Sequence, residues 1–303
     1  MTTPSCLNGP PRRILLATDL SARCDRALDR AVALSDEWNA ELVILHVIEK
    51  GMMRIEDSGN PFPSWQRLRA DAIARTRRKL MADIGPVANK ATILIEEGGD
   101  TTETMLQLAD SNGCDLIVTG IARDELLGRF SLGKTVDRLL RAARVPFLVV
   151  KDRAHAPYRN IVIATDFSST SRYAIAATAR FFPQRRLTLF HAYDTPMAGI
   201  TGDAEAYKRE HRKTVERECV DFLQTANLPL ENWQPPHIEI AYGAPARLLH
   251  DYVEQKNVDL LVLGTHGRSA LFEIFIGSVA KQIMDELPCD ALLFREPQAG
   301  AES

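Results

Sequence analysis

Residues Asp259–Leu287 read DLLVLGTHGRSALFEIFIGSVAKQIMDEL, and this stretch decides the fold. It opens with an apolar run, Leu260 to Leu263, which stops at Gly264. Gly267 follows after two residues, and Gly277–Ser278 after nine more. Val279, Ile283 and Leu287 then recur at helical spacing. The order predicts a buried strand, a glycine-bearing loop and a helix. Glycine lets backbone approach a ligand closely and take positive φ. A helix start offers unpaired N–H groups and the positive end of its dipole. Ser278 adds a hydroxyl there, so the stretch has the makings of a phosphate cradle.

Working outward, the chain reads twice. Arg13-Ile-Leu-Leu-Ala-Thr-Asp19 returns as Asn160-Ile-Val-Ile-Ala-Thr-Asp166, and Leu42–Val47 returns as Leu187–Ala192. Cys114–Gly120 returns as Val258–Gly264, Gly133-Lys-Thr-Val as Gly277-Ser-Val-Ala, and Val145–Val150 as Cys289–Phe294. The offset is 147 residues for Arg13 to Asn160 and falls only to 144 for Gly133 to Gly277. So long a repeat is a duplicated domain rather than a solenoid unit. The boundary falls in the polar link Lys151–Pro157, which gives one domain over 1–152 and a second over 153–303.

Within each copy, short apolar runs alternate with amphipathic stretches. Strands are expected near 13–18, 42–48, 91–96, 115–120 and 146–150, with helices near 22–39, 64–84, 101–112 and 134–143. The second copy repeats this with strands near 160–165, 186–193, 237–241, 259–264 and 290–294. Its helices fall near 169–182, 203–226, 245–257 and 278–287. Continuous Val/Ile/Leu strands joined by helices predict an α/β class: two tandem doubly wound five-stranded parallel sheets.

The spacing Gly264-x2-Gly267-x9-Gly277-Ser278, within Gly-Thr-His-Gly-Arg-Ser and Gly-Ser-Val-Ala, resembles the nucleotide-binding loop of the universal stress protein family. The resemblance covers nearly the whole chain. It implies strand order 3-2-1-4-5 in each copy and an ATP ligand, with or without Mg. In such sheets ligands bind at strand carboxyl ends where the order reverses, which is between the first and fourth strands. The implied contacts are Ala164, Thr165, Asp166 and Ala192 toward the adenine and ribose, and Gly264, Thr265, Gly267, Arg268, Gly277, Ser278 and Val279 toward the phosphates. Asp166 has a second reading as a turn or N-cap residue. The counterparts in copy one are Asp19, Val47, Gly120, Gly133 and Lys134. There Gly120-Ile-Ala-Arg123 replaces Gly264-Thr-His-Gly267, and Gly133-Lys134 replaces Gly277-Ser278. Arg123 either turns a guanidinium to phosphate or marks a copy that has lost ordinary nucleotide binding.

Gly128-Arg-Phe-Ser-Leu-Gly133-Lys134-Thr135 fits the G-x4-G-K-[ST] expression. That motif belongs directly after a strand, and here the strand ends near Gly120. The match reads as a variant of the family loop. His46 and His191 end the second strands with no nucleophile or acid paired to them in sequence, so both read as structural. The seven histidines show no metal spacing.

Composition bounds the rest. A chain of 303 residues, 45% hydrophobic, with a formal net charge of -3, fits two globular domains and disfavours non-specific nucleic-acid binding. The five cysteines are scattered and odd in number, which points to free thiols in a reducing compartment. No run approaches the roughly 20 apolar residues of a membrane span, and MTTPSCLNGPPRR lacks a signal-peptide core. The expectation is a soluble cytoplasmic protein.

Three function classes follow: a nucleotide-binding regulatory protein, a slow ATPase, and a scaffold or chaperone-like protein indifferent to nucleotide. The absence of a recognisable nucleophile–base pair or catalytic carboxylate pair favours the first. Both fifth strands are apolar, and an unpaired edge strand is an aggregation liability. The two copies are therefore expected to dock edge to edge as an internal pseudo-dimer. The eight-residue link Lys151–Tyr158 reaches at most about 29 Å, ample for adjacent sheets. The family resemblance adds pairing of whole chains as a homodimer.

Overall fold

The computed structural model describes residues 6–20, 24–49, 64–85, 91–98, 100–121, 134–194, 204–229, 234–265, 283–284 and 288–295. The first half runs β1 (Arg13–Ala17), α1 (Asp25–Trp38), β2 (Glu41–Glu49), α2 (Ser64–Ile84), β3 (Ala91–Gly98), α3 (Thr101–Ser111), β4 (Leu116–Gly120), α4 (Lys134–Ala142) and β5 (Phe147–Val150). The second half runs β6 (Ile161–Ala164), α5 (Ser169–Phe181), β7 (Leu187–Tyr193), α6 (Ala204–Gln224), β8 (His237–Tyr242), α7 (Pro245–Lys256), β9 (Leu260–Gly264) and β10 (Asp290–Phe294). Of the helix expected over 278–287, only Ile283 and Met284 are described, and both are helical.

Within each half the strands are parallel and ordered 3-2-1-4-5, which in the second half reads β8-β7-β6-β9-β10. Alternation along the strands feeds two cores. Ile14 and Leu16 of β1 face a layer containing α1, α2, α5 and α6. Leu15 and Ala17 face a layer containing α3, α4 and α7. Both faces are covered, which is why the strands read as unbroken apolar runs.

The halves share one ten-stranded sheet, because β5 and β10 pair antiparallel. Leu148 sits opposite Leu292, its own repeat-equivalent, so the pairing centres on a pseudo-two-fold axis. Strand carboxyl ends in the two halves therefore point to opposite ends of the sheet. Trp38 of α1 packs across the junction on Phe181 and Phe182, with ring centroids 5.7 and 5.5 Å apart. Beneath it lies a buried polar hub. Asp290 accepts from the amides of Lys151 and Asp152 through Oδ1 (2.8 and 3.0 Å) and from the Tyr158 hydroxyl through Oδ2 (2.5 Å). Arg30 brings Nε to 3.2 Å from Oδ2 and lays its guanidinium over the Tyr158 ring at 3.9 Å.

A fragment ending at Asp152 would bare β5 and leave Arg30 without its carboxylate partner. It is expected to dimerise or aggregate in analytical ultracentrifugation. A soluble monomeric fragment would show that this edge needs no cover.

In the first half, Asp100 caps α3, its Oδ1 accepting from the amides of Thr102 and Glu103, and Arg138 of α4 pairs with Oδ2. These amides and the guanidinium hold the carboxyl below its ordinary 3.8. A depressed acid stabilises the fold above its unfolded pKa, and that contribution disappears as pH falls through the lower folded value. Asp100→Ala should lower the melting temperature at neutral pH, and the gap to the wild type should close in acid. A gap that persists at pH 2 would contradict this account.

Candidate functional site

The turn after β6 is built by its own side chains. Thr165 is buried; its amide donates to the Phe190 carbonyl (3.0 Å), and its Oγ1 accepts from the Phe167 amide (2.9 Å). Phe167 takes φ 61, a left-handed conformation uncommon for a non-glycine residue. Asp166 Oδ1 holds it there by accepting from the Ser168 amide (3.1 Å) and the Ser171 hydroxyl (2.8 Å). Ser168 is the N-cap of α5, its side chain accepting from the Ser171 amide. The Phe167 ring stacks on His191 at 4.1 Å. His191 Nδ1 lies 2.8 Å from the Thr165 carbonyl. A carbonyl only accepts, so Nδ1 carries the hydrogen, and the imidazole clamps β7 to this turn.

The first half repeats the device. Leu20 takes φ 59, its amide donates to Thr18 Oγ1 (3.0 Å), and His46 Nδ1 lies 2.9 Å from the Thr18 carbonyl. It differs at one place. Cys24 stands where Ser171 stands in the second half, and its Sγ accepts from the Asp19 amide at 3.5 Å. Asp19 is exposed, whereas Asp166 is half-buried. The role of Ser171 escaped the sequence reading, although its alignment with Cys24 was available in the repeat.

β9 delivers Gly264 to the same place. A Cβ there would sit 3.0 Å from Thr170 Cγ2, 3.3 Å from Thr170 Cβ and 3.4 Å from the Ser171 amide nitrogen. Gly264 is thus small because the first turn of α5 packs against it, a reason independent of any ligand. Asp166 and Gly264, 98 positions apart in the numbering, both abut Ser171. Thr265 is buried, and its amide donates to the Phe294 carbonyl of β10 (2.8 Å). Ala164 and Ala192, half-buried, lie at the carboxyl ends of β6 and β7. Val47, also half-buried, is in β2, and Gly120 ends β4. Lys134 opens α4. Gly133, Gly267, Arg268, Gly277, Ser278 and Val279 lie outside the described residues, as does Arg123.

Gly264→Ala should destabilise the chain by about 1–3 kcal/mol through overpacking against Thr170. Thr170→Ser, which removes the nearest methyl, should recover part of that loss in the double variant, as expected for touching residues. Additive losses in urea unfolding would show that the two do not meet.

The thiols are held protonated. Burial pushes Cys6, Cys24, Cys114 and Cys219 up to about 11 and Cys289 up to about 12. Among the described residues, no three His, Cys, Asp or Glu side chains are grouped to hold a metal ion, and no helix is long and apolar enough to cross a membrane.

The fold and site together define a duplicated, open, doubly wound α/β protein. In each half a polar turn after the first strand faces the end of the fourth strand across the point where strand order reverses. Residues 11–151 and 157–295 each match the universal stress protein family, and the chain belongs to it. It is 27% identical over 143 residues to Universal stress protein MJ0531 of Methanocaldococcus jannaschii, covering 46% of this chain and 84% of that protein. With Universal stress protein E of Escherichia coli K12 it shares 24% identity over 215 residues, 65% of each chain. The fold is similar to that of a putative universal stress protein from Pseudomonas aeruginosa UCBPP-PA14, with TM-score 0.62 at 18% identity and 96% and 95% of the two chains covered. It is also similar to that of a universal stress protein from Archaeoglobus fulgidus, with TM-score 0.61 at 16% identity and 94% and 97% covered.

Proposed function

We propose that this chain is a stress-response regulatory protein of the cytoplasm, whose second half binds one ATP, with or without Mg. The observation that carries the reading is the meeting of the Asp166 turn and Gly264 at Ser171. It joins the adenine end and the phosphate loop implied by the sequence at the strand reversal, where open α/β sheets bind ligands. The residues fit the ligand. Ala164 and Ala192, half-buried and small, flank a polar turn at the ends of adjacent strands, which suits a flat base. Gly264-x2-Gly267-x9-Gly277-Ser278 then supplies amides for phosphate oxygens.

Regulation rather than turnover is read from what the reactive groups do. His46 and His191 clamp strands to turns, Asp166 shapes its own turn, and the thiols are protonated. Occupancy, and not chemistry, is then the output, passed to a protein partner or to a second copy of the chain.

Mass spectrometry of the nucleotide released from purified, denatured protein tests this directly. One equivalent of adenine nucleotide per chain is expected after incubation with ATP. No retained nucleotide would leave the scaffold reading, and steady release of ADP would move the chain to the slow ATPases.

A further inference from the structure

The residue that follows the fifth strand in each half reaches into the other half. Lys151 follows β5, and its ammonium donates to the Met284 carbonyl at 2.5 Å. Arg295 follows β10, and its guanidinium donates to the Arg141 carbonyl at 2.6 Å. Arg141 is in the last turn of α4, and Met284 is the later of the two helical residues described in the equivalent stretch of the second half. Lys151 and Arg295 are themselves repeat-equivalents, 144 residues apart. The antiparallel pairing of β5 with β10 makes this reciprocity a consequence of the two-fold relation.

The two contacts are unequal. Lys151 is 1% exposed, whereas Arg295 is only half-buried. The Lys151 main chain is also held from both sides: its amide donates to Asp290 of the second half, and its carbonyl accepts from Arg26 of the first at 2.8 Å. A buried ammonium needs compensation that only an acceptor can supply. The one it meets is a main-chain carbonyl near the end of a helix, where a cation also complements the dipole.

We propose that Lys151 is a positioning residue for the opposite half's ligand site. It pins the far end of the helix that follows Gly277–Ser278, so ligand occupancy in the second half is coupled to docking against the first. The ligand part rests on the ATP reading above; the pinning part does not. Arg295 makes the corresponding contact to the helix after Gly133 and serves as the internal control.

The test uses the full chain and the variants Lys151→Met, Lys151→Arg and Arg295→Met. Without nucleotide, hydrogen exchange in Lys151→Met should quicken on the order of tenfold at amides 280–287, while those of β9 and β1 hold their wild-type rates. With ATP, calorimetry should show on the order of tenfold weaker binding for Lys151→Met. Lys151→Arg should restore most of it, and Arg295→Met should leave it unchanged. Unchanged exchange at 280–287, or exchange raised evenly across both halves, would overturn the pinning role. Wild-type affinity in Lys151→Met would overturn the coupling. A wild-type chain that binds no ATP would instead defeat the ATP reading and the coupling with it, leaving exchange to decide the pinning role.

Discussion

Asp290→Ala is expected to destabilise the whole chain by about 3–5 kcal/mol, the range for removing one partner of a buried ion pair. The loss has two parts. Arg30, itself buried, would keep its charge without the carboxylate 3.2 Å from Nε. The amides of Lys151 and Asp152 and the Tyr158 hydroxyl would lose their acceptor. All of these groups line the junction, so both halves should feel the change. Burial raises the Asp290 carboxyl above its ordinary 3.8, while its hydrogen-bond donors and Arg30 draw it back. A raised acid gives its full stabilisation below the unfolded pKa and loses it as pH rises through the folded one. Asp290→Asn should therefore lack that part of the pH dependence. Urea unfolding followed by circular dichroism measures both effects, and a loss under about 1 kcal/mol in the alanine variant would show that water replaces the carboxylate.

Gly277→Val is expected to weaken ATP binding by at least about a hundredfold while leaving the fold intact, because side-chain bulk would block backbone approach to phosphate. The first half supplies the structural argument. There α4 opens at Lys134, directly after Gly133, so the equivalent Gly277 is expected immediately before its helix. The same comparison argues for one ATP per chain. In the first turn of α4 the first half carries Asp137, whose carboxylate disfavours phosphate at that helix start. The equivalent position of the second half is Lys281. Together with the loss of the second glycine at Arg123, this leaves the second half as the better anion site. Calorimetry gives affinity and stoichiometry in one titration. Unchanged affinity in folded Gly277→Val would remove Gly277 from the site, and two equal sites would show that Arg123 and Lys134 serve the first half.

The sequence by itself determined the duplication, the α/β class and the strand order, with element limits within about three residues for the described elements. The physical reason is that both sheet faces are covered, so each strand is an unbroken apolar run such as Ile161–Ala164 and each helix shows its own period. It also located the acid and the glycine loop, because special backbone geometry selects particular residue types. Only the tertiary structure decided what those residues do. Thr165 and Asp166 turned out to hold the left-handed Phe167, and Gly264 to make room for Thr170. Such roles depend on neighbours far along the chain, which no local pattern encodes. The hub at Asp290 was equally illegible: an acid opening a strand looks solvent-facing until the opposite half brings Arg30 and Tyr158 against it. Burial of a charge is decided by what the second half of the chain covers, and that is a property of docking rather than of sequence order.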